Sequence, residues 1–534
     1  MENDRELLNF NGILGETGGP SLPPISPAEL VRTILRQADP PNLADLRARR
    51  RQDAQSDAAM ARLQQLLDET ERKLREAPIQ PSDAATALAL TQSLRQLEQE
   101  LRQRQHLGVR EGIDAADLRQ AGWGVIFAED ADPLVMAALE PLLALRREQA
   151  GARFQIYSGA RGYRSGGRDT KSKFLVRNGA TVAGPASPDA VPYYLLIVGG
   201  PDKIPFEFQY QLDVQYAVGR LCFDTVQEYA SYARSVVAAE QQPPARPQRL
   251  TFFGVRNPDD RATEISSRQL VTPLFESMRQ GNPGWEVTRV PPAEAGKDRL
   301  RQLLGSEAPA LLFTASHGMV FKVGNRDQPG HQGALLCQDW PGPSRMGPIP
   351  RQSYFSGEDI DDSACIHGMM LFLFACYSVG TSELDSFART AAPVQLAAAP
   401  FVSALPRRLL SHPAGGALAV IGHVDRAWSY SFAWSETAQR VHTAAIESTL
   451  QRLMQGQRIG YAMEYLNQRY AELATVLSDE LGAVRNLRQP DERALAEIWI
   501  ATHDARGYCV LGDPAVRLAP VNAAPTPEVG PCAS

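Results

Sequence analysis

The sequence predicts an α/β protein built as two doubly wound parallel-sheet modules in tandem, preceded by an α-helical hairpin. Three observations predict this. Continuous apolar runs alternate with helical segments from residue 123 onward, the pattern of strands buried on both faces of a parallel sheet covered by helices. The strand–helix order occurs twice, on either side of the Pro-rich stretch QQPPARP at 241–247. Ahead of both, leucines recur at three- and four-residue spacing, which marks amphipathic helices. The 534 residues exceed what one hydrophobic core organises, and 43% hydrophobic with 22% charged residues is a globular composition.

The elements follow in order. Residues 1–115 form the first region, an irregular Gly/Pro leader (GETGGPSLPPISP) and then the hairpin. Met60, Leu63, Leu67 and Leu74 line one helix, PIQPSD breaks it, and Ser82 or Asp83 caps a second that carries Leu90, Leu94, Leu97 and Leu101. Residues 120–240 read as a non-catalytic α/β subdomain, with strands GWGVIF, FQIY and YYLLIVGG. The stretch RGYRSGGRDTKSKFLVR at 161–177 reads as an exposed, flexible loop. Residues 248–518 read as the catalytic α/β domain, with LTFFGV, WEVTRV, ALLFTASHG, MMLFLFACYS, ALAVIGHV and the closing YCVLGDP. The tail 519–534, rich in Ala and Pro, is expected to be disordered.

Several classes of function are excluded. A formal charge of −6 gives no attraction to phosphate backbones, so no nucleic-acid partner is expected. The N-terminus lacks a secretory pattern and the run 369–377 is too short to cross a bilayer. A cytoplasmic protein without a membrane partner is therefore expected. Six cysteines form neither a disulfide framework nor a zinc frame, and Cys337, Cys365, His331 and His367 match no common ligand spacing. GGPDKIP lacks the Lys-Ser/Thr of a P-loop and the spacing of GxGxxG. No metal or cofactor is expected.

The chemistry lies at two strand ends. The run ALLFTASHG stops on His317 and Gly318, and MMLFLFACYS stops near Cys376. In an open parallel sheet, groups that act on a ligand sit just past the carboxyl ends of the strands. Strands lie about 4.8 Å apart, so neighbouring strands would bring the two side chains together. A thiol needs a base or a shifted pKa to act as a nucleophile, and His317 supplies the base. The amides of Gly318 and Cys376 are placed to donate to an oxyanion formed in acyl transfer. Taken singly, a strand cysteine is usually a buried hydrophobe and a strand-end histidine a core residue; it is their joint placement that points to catalysis.

A strand ending in SHG, with a strand ending in AC 59 residues later, resembles the caspase-like cysteine peptidases, where the His–Cys gap is about 50 residues. The motif ACYSVG lacks the caspase QAC signature, which excludes a true caspase. YYLLIVGGPDKIPFEFQYQLDVQYAVGRL and VLGDPAVRL more closely resemble the gingipain-like and CHAT-type bacterial branches, over about residues 120–518. The resemblance implies Cys376 as nucleophile, His317 as the general acid that protonates the leaving amine, and Gly318 and Cys376 amides as the oxyanion hole. It requires no third orienting residue.

The same resemblance places the specificity pocket at the end of the first catalytic-domain strand and in loops after the cysteine. The candidates are Arg256, Asp259 and Asp260 in GVRNPDD, Asp385 in GTSELD, and Trp428 in GHVDRAWSY as an apolar wall. The segment offers both signs, Arg256 for an acidic substrate side chain and Asp259 or Asp260 for a basic one (Arg or Lys), the reading taken here; the two carboxylates equally suit the N-terminal end of the helix that follows. The function expected is a cysteine endopeptidase acting on protein or peptide substrates, held quiet until a partner or a processing event aligns its loops. The alternative is an inactive scaffold that binds a regulatory partner through its N-terminal helices.

Overall fold

A computed structural model describes residues 7–37, 107–244, 246–387, 394–433, 443–485 and 488–519. The helical hairpin expected within 57–107 lies almost wholly outside the described residues, as does the tail from 520.

Ten strands build one mixed sheet. In chain order they are β1 (Trp123–Phe127), β2 (Phe154–Tyr157), β3 (Tyr194–Val198), β4 (Ala217–Leu221), β5 (Arg249–Gly254), β6 (Glu286–Val290), β7 (Leu311–Ala315), β8 (Met370–Phe374), β9 (Ala419–His423) and β10 (Tyr508–Gly512). Their spatial order is β2-β1-β3-β4-β10-β9-β8-β7-β5-β6. Every neighbouring pair is parallel except β9 and β10. The interior strands β1, β3, β4 and β7 to β10 are buried at every position, which is why they read as largely apolar runs; the polar exceptions Arg220 in β4, Thr314 in β7 and His423 in β9 are buried too. The edge strand β6 is mostly partly or fully exposed, and its sequence EVTRV accordingly mixes charged and polar residues with its two valines.

The two halves are not separate sheets. β10 lies between them, antiparallel to β9 and parallel to β4. Without it, β4 and β9 would each present an unpaired edge, and the apolar segment YCVLG satisfies both. Asp513, directly after β10, fixes the junction by accepting from Trp123 Nε1 at 2.9 Å and Arg146 Nε at 2.7 Å. Arg146 is fully buried and also pairs with Glu240 at 2.6 Å, so its charge is compensated on both sides, as burial demands. A Cβ on Gly219 would lie 2.2 Å from the Gly512 carbonyl oxygen, so this approach of β4 to β10 requires glycine.

The stretch 161–177 differs from its expectation. Lys171–Arg177 is a helix, capped by the Thr170 side chain on the Lys173 N–H, with Phe174 and Leu175 fully buried. Asp169 accepts from Arg177 and from the Arg164 N–H. The apolar pair inside a basic run, together with the cap, anchors what composition alone makes look loose.

The leader is also ordered. The helix Pro27–Gln37 docks its Leu30, Val31 and Ile34 against Leu495, Ile498 and their neighbours on the helix Glu492–Arg506. Ahead of it, residues 8–25 fold back on themselves, with Leu8 and Ile25 exchanging backbone hydrogen bonds at 2.8 and 3.0 Å. Ile13–Leu14 runs parallel to Met319–Val320, just past β7.

Candidate active site

β7 and β8 pair in parallel with Ala315 opposite Phe374. His317 and Cys376 each stand two residues beyond that pair, so they leave the carboxyl end of the sheet side by side. The Ser316 N–H donates to the Phe374 carbonyl at 3.2 Å. A Cβ on Gly318 would sit 1.8 Å from the Cys376 carbonyl oxygen; only glycine permits the two strand ends to meet this closely. The chain then turns at Tyr377, whose φ of 56° is left-handed. That conformation costs a non-glycine residue about 1–2 kcal/mol. It is held by the Tyr377 N–H donating to the Asp425 carbonyl and by the Ser403 hydroxyl donating to the Tyr377 carbonyl at 2.6 Å.

His317 Nε2 lies 2.8 Å from Asp260 Oδ2. Asp260 follows β5, the strand on the other side of β7, and its carboxylate also accepts from Thr263 Oγ1 at 2.6 Å. Burial pushes the Asp260 carboxyl up, but His317, by charge and hydrogen bond, and Thr263 outweigh this and hold it below the ordinary carboxylate range. A histidine with one nitrogen fixed by a carboxylate has a defined ring orientation. The ring edge meets Trp340, with centroids 6.1 Å apart. Trp340 belongs to the long connection between β7 and β8, within which Leu335–Leu336 and Tyr354–Phe355 pair antiparallel.

Cys376 is 3% exposed and His317 6%. The Cys376 thiol donates to the Ala427 carbonyl at 3.6 Å. Burial pushes its pKa up to about 11, with the Ala427 and Gly318 backbone and Arg426 offsetting part of the rise. Thiol and imidazole are thus adjacent in the fold, and each is engaged with a different partner.

The remaining candidates are distributed as follows. Asp260 joins His317, a connection that the sequence gives no means of choosing over its neighbour. Asp259, in a left-handed turn at φ 55°, stays exposed and accepts from Ser344 Oγ at 3.0 Å. Arg256 is exposed, its backbone clasped by the Gln338 amide at 2.7 and 2.8 Å. Asp385 is buried in a two-pronged pair with Arg426 at 2.8 and 2.9 Å, so its charge is already neutralised. Trp428 is buried between Phe10 and Phe387, with ring centroids 5.2 Å away in each case. Among the described residues, no three His, Cys, Asp or Glu side chains gather as metal ligands, and no helix is long and apolar enough to cross a membrane.

No protein-family model and no curated protein sequence matches this chain. Among solved structures, one described as a protease is similar over 75% of this chain and 80% of its own, at 12% identity and a TM-score of 0.44. The complex of the pro- and mature domains of Porphyromonas gingivalis RgpB is similar over 74% of this chain and 79% of its own, at 12% identity and a TM-score of 0.42.

Proposed function

We propose that this chain is a cysteine endopeptidase that acts through Cys376 and His317, with Asp260 as the residue that positions the imidazole. One observation carries the reading: the register of β7 on β8, locked by the Gly318 contact, sets a thiol and a carboxylate-held imidazole together at the carboxyl end of the central strands. In the reaction, His317 takes the Cys376 thiol proton as the sulfur bonds to the scissile carbonyl carbon, and the Gly318 and Cys376 amides receive the developing oxyanion. The C–N bond then breaks as His317 gives its proton to the departing amine. Water, deprotonated by His317, cleaves the resulting thioester and restores the thiol.

The first half of the sheet, β1 to β4, is read as the non-catalytic module and the second as the catalytic one. Asp259 stays exposed and, among the described residues, has no cationic or imidazole partner, which supports a basic side chain ahead of the scissile bond. The five described cysteines are all free thiols, in keeping with a reducing, cytoplasmic setting.

A second reading, an inactive scaffold, is favoured by the buried thiol and by its bond to Ala427 rather than to His317. Fluorogenic peptides ending in Arg, Lys, Asp or Leu separate the two. The peptidase reading expects hydrolysis that Cys376→Ala and His317→Ala each abolish with the fold intact. Hydrolysis surviving in Cys376→Ala rejects it.

A further inference from the structure

We propose that residues 8–26 form an inhibitory strap across the Cys376–His317 notch, and that this enzyme is switched on by displacing it. The inference rests on the peptidase reading for what is being shut.

The strap holds both sides of the notch. On the histidine side, Ile13–Leu14 pairs with Met319–Val320, the two residues directly after Gly318, and the Gly15 N–H donates to the Val320 carbonyl at 2.9 Å. On the cysteine side, Asn11 Nδ2 donates to the Ala427 carbonyl at 2.6 Å, the same oxygen that receives the Cys376 thiol. Ser21 Oγ donates to the Asn11 carbonyl at 3.1 Å and accepts from Arg426 Nε at 3.4 Å. The strap therefore occupies the edge beside the histidine and the carbonyl that holds the thiol, and an extended peptide approaching the notch would compete with it for that edge.

Its anchorage is local. Phe10 stacks edge-on against Trp428 and Phe387, and the tip is fastened by the Gly347 and Ile349 N–H groups on the Thr17 and Gly15 carbonyls at 2.9 and 2.8 Å. Leu8, Phe10 and Ile25 share one apolar cluster with the following helix, Pro27–Gln37, against Glu492–Arg506, whereas Ile13 at the tip belongs to a separate one with Met319, Phe321 and Trp340. Segments with few apolar anchors open locally at a fraction of the global unfolding free energy. The tip, residues 11–21, can thus lift while Leu8, Phe10, Ile25 and the helix behind them stay docked.

The test uses the full chain. Hydrogen exchange of the amides of residues 8–26 and iodoacetamide labelling of Cys376 are measured under the same conditions. In the unmodified chain, the slowing of labelling should match the protection of the Ile13–Leu14 amides, because the thiol is reached only when the strap lifts. Ile13→Asp, which puts a carboxylate at a buried position, should deprotect the strap and accelerate labelling by tenfold or more, while β8 stays protected. Labelling at the rate of an exposed thiol while the strap amides remain protected would overturn the proposal. So would a deprotected strap with labelling unchanged. Peptide hydrolysis run alongside separates this from the peptidase reading. Faster labelling without hydrolysis supports the strap and sinks the peptidase, and hydrolysis by a chain whose strap stays protected does the reverse.

Discussion

The reactivity of Cys376 should follow an unusual pH profile in the intact chain. Burial lifts its thiol from an ordinary 9.0 to about 11. Two units mean that below pH 9 the thiolate is about a hundredfold rarer than on an exposed cysteine. The sign follows from linkage: the folded value is raised, so burial of the neutral thiol stabilises the closed site fully below the ordinary value. That contribution, about 3 kcal/mol, is lost as pH climbs from there through about 11. Raising pH thus both ionises the sulfur and loosens the strap above it. The assay is the initial rate of iodoacetamide addition at Cys376, read by mass on the peptide that carries it, at steps between about pH 6 and 11. A midpoint near 11 with slow labelling at neutral pH is expected. A midpoint at 8.5 to 9, with rapid labelling at pH 7, would refute the account of a sealed thiol.

Two further outcomes follow from the site. Asp260→Asn exchanges a charge-assisted hydrogen bond to His317 for a neutral one; such bonds contribute about 1.5–3 kcal/mol, so kcat/KM should fall about 10- to 150-fold. The Asp260 carboxyl is held low, so the parent loses this support only as pH falls through that depressed value. The variant should lack that acid limb, and an unchanged rate with an unchanged profile would remove Asp260 from the machinery. Asp385→Asn strands the buried Arg426 charge, which should cost about 3–5 kcal/mol in equilibrium urea unfolding. Undiminished stability with altered substrate preference would instead return Asp385 to the substrate pocket.

Much of the sheet was legible because its interior strands are buried on both faces and therefore mostly apolar, as in YLLIV of β3 and MLFLF of β8. The placing of His317 and Cys376 at two strand ends was legible for the same reason: a polar residue closing such a run marks where the chain leaves the core. The choice between Asp259 and Asp260 was not. Two adjacent carboxylates look alike in sequence, and only the left-handed turn at Asp259 sends one outward and leaves the other for His317. The joining of both halves through β10 was hidden because a lone strand at the end of the chain does not state its neighbours. The strap was the least legible element. NFNGILGETGGPSLPP carries a two-residue strand, too short to show alternation, and its partner at Met319–Val320 lies some three hundred residues away.

The most direct test of the central claim is covalent. A peptidyl electrophile ending in Arg, added to the Ile13→Asp chain, should yield a single adduct by intact mass. That adduct should map to Cys376 and be blocked by prior alkylation, and His317→Ala introduced in the same chain should form it far more slowly. An adduct forming equally fast without the imidazole, or settling on Cys222 or Cys365 instead, would contradict the pairing of Cys376 with His317.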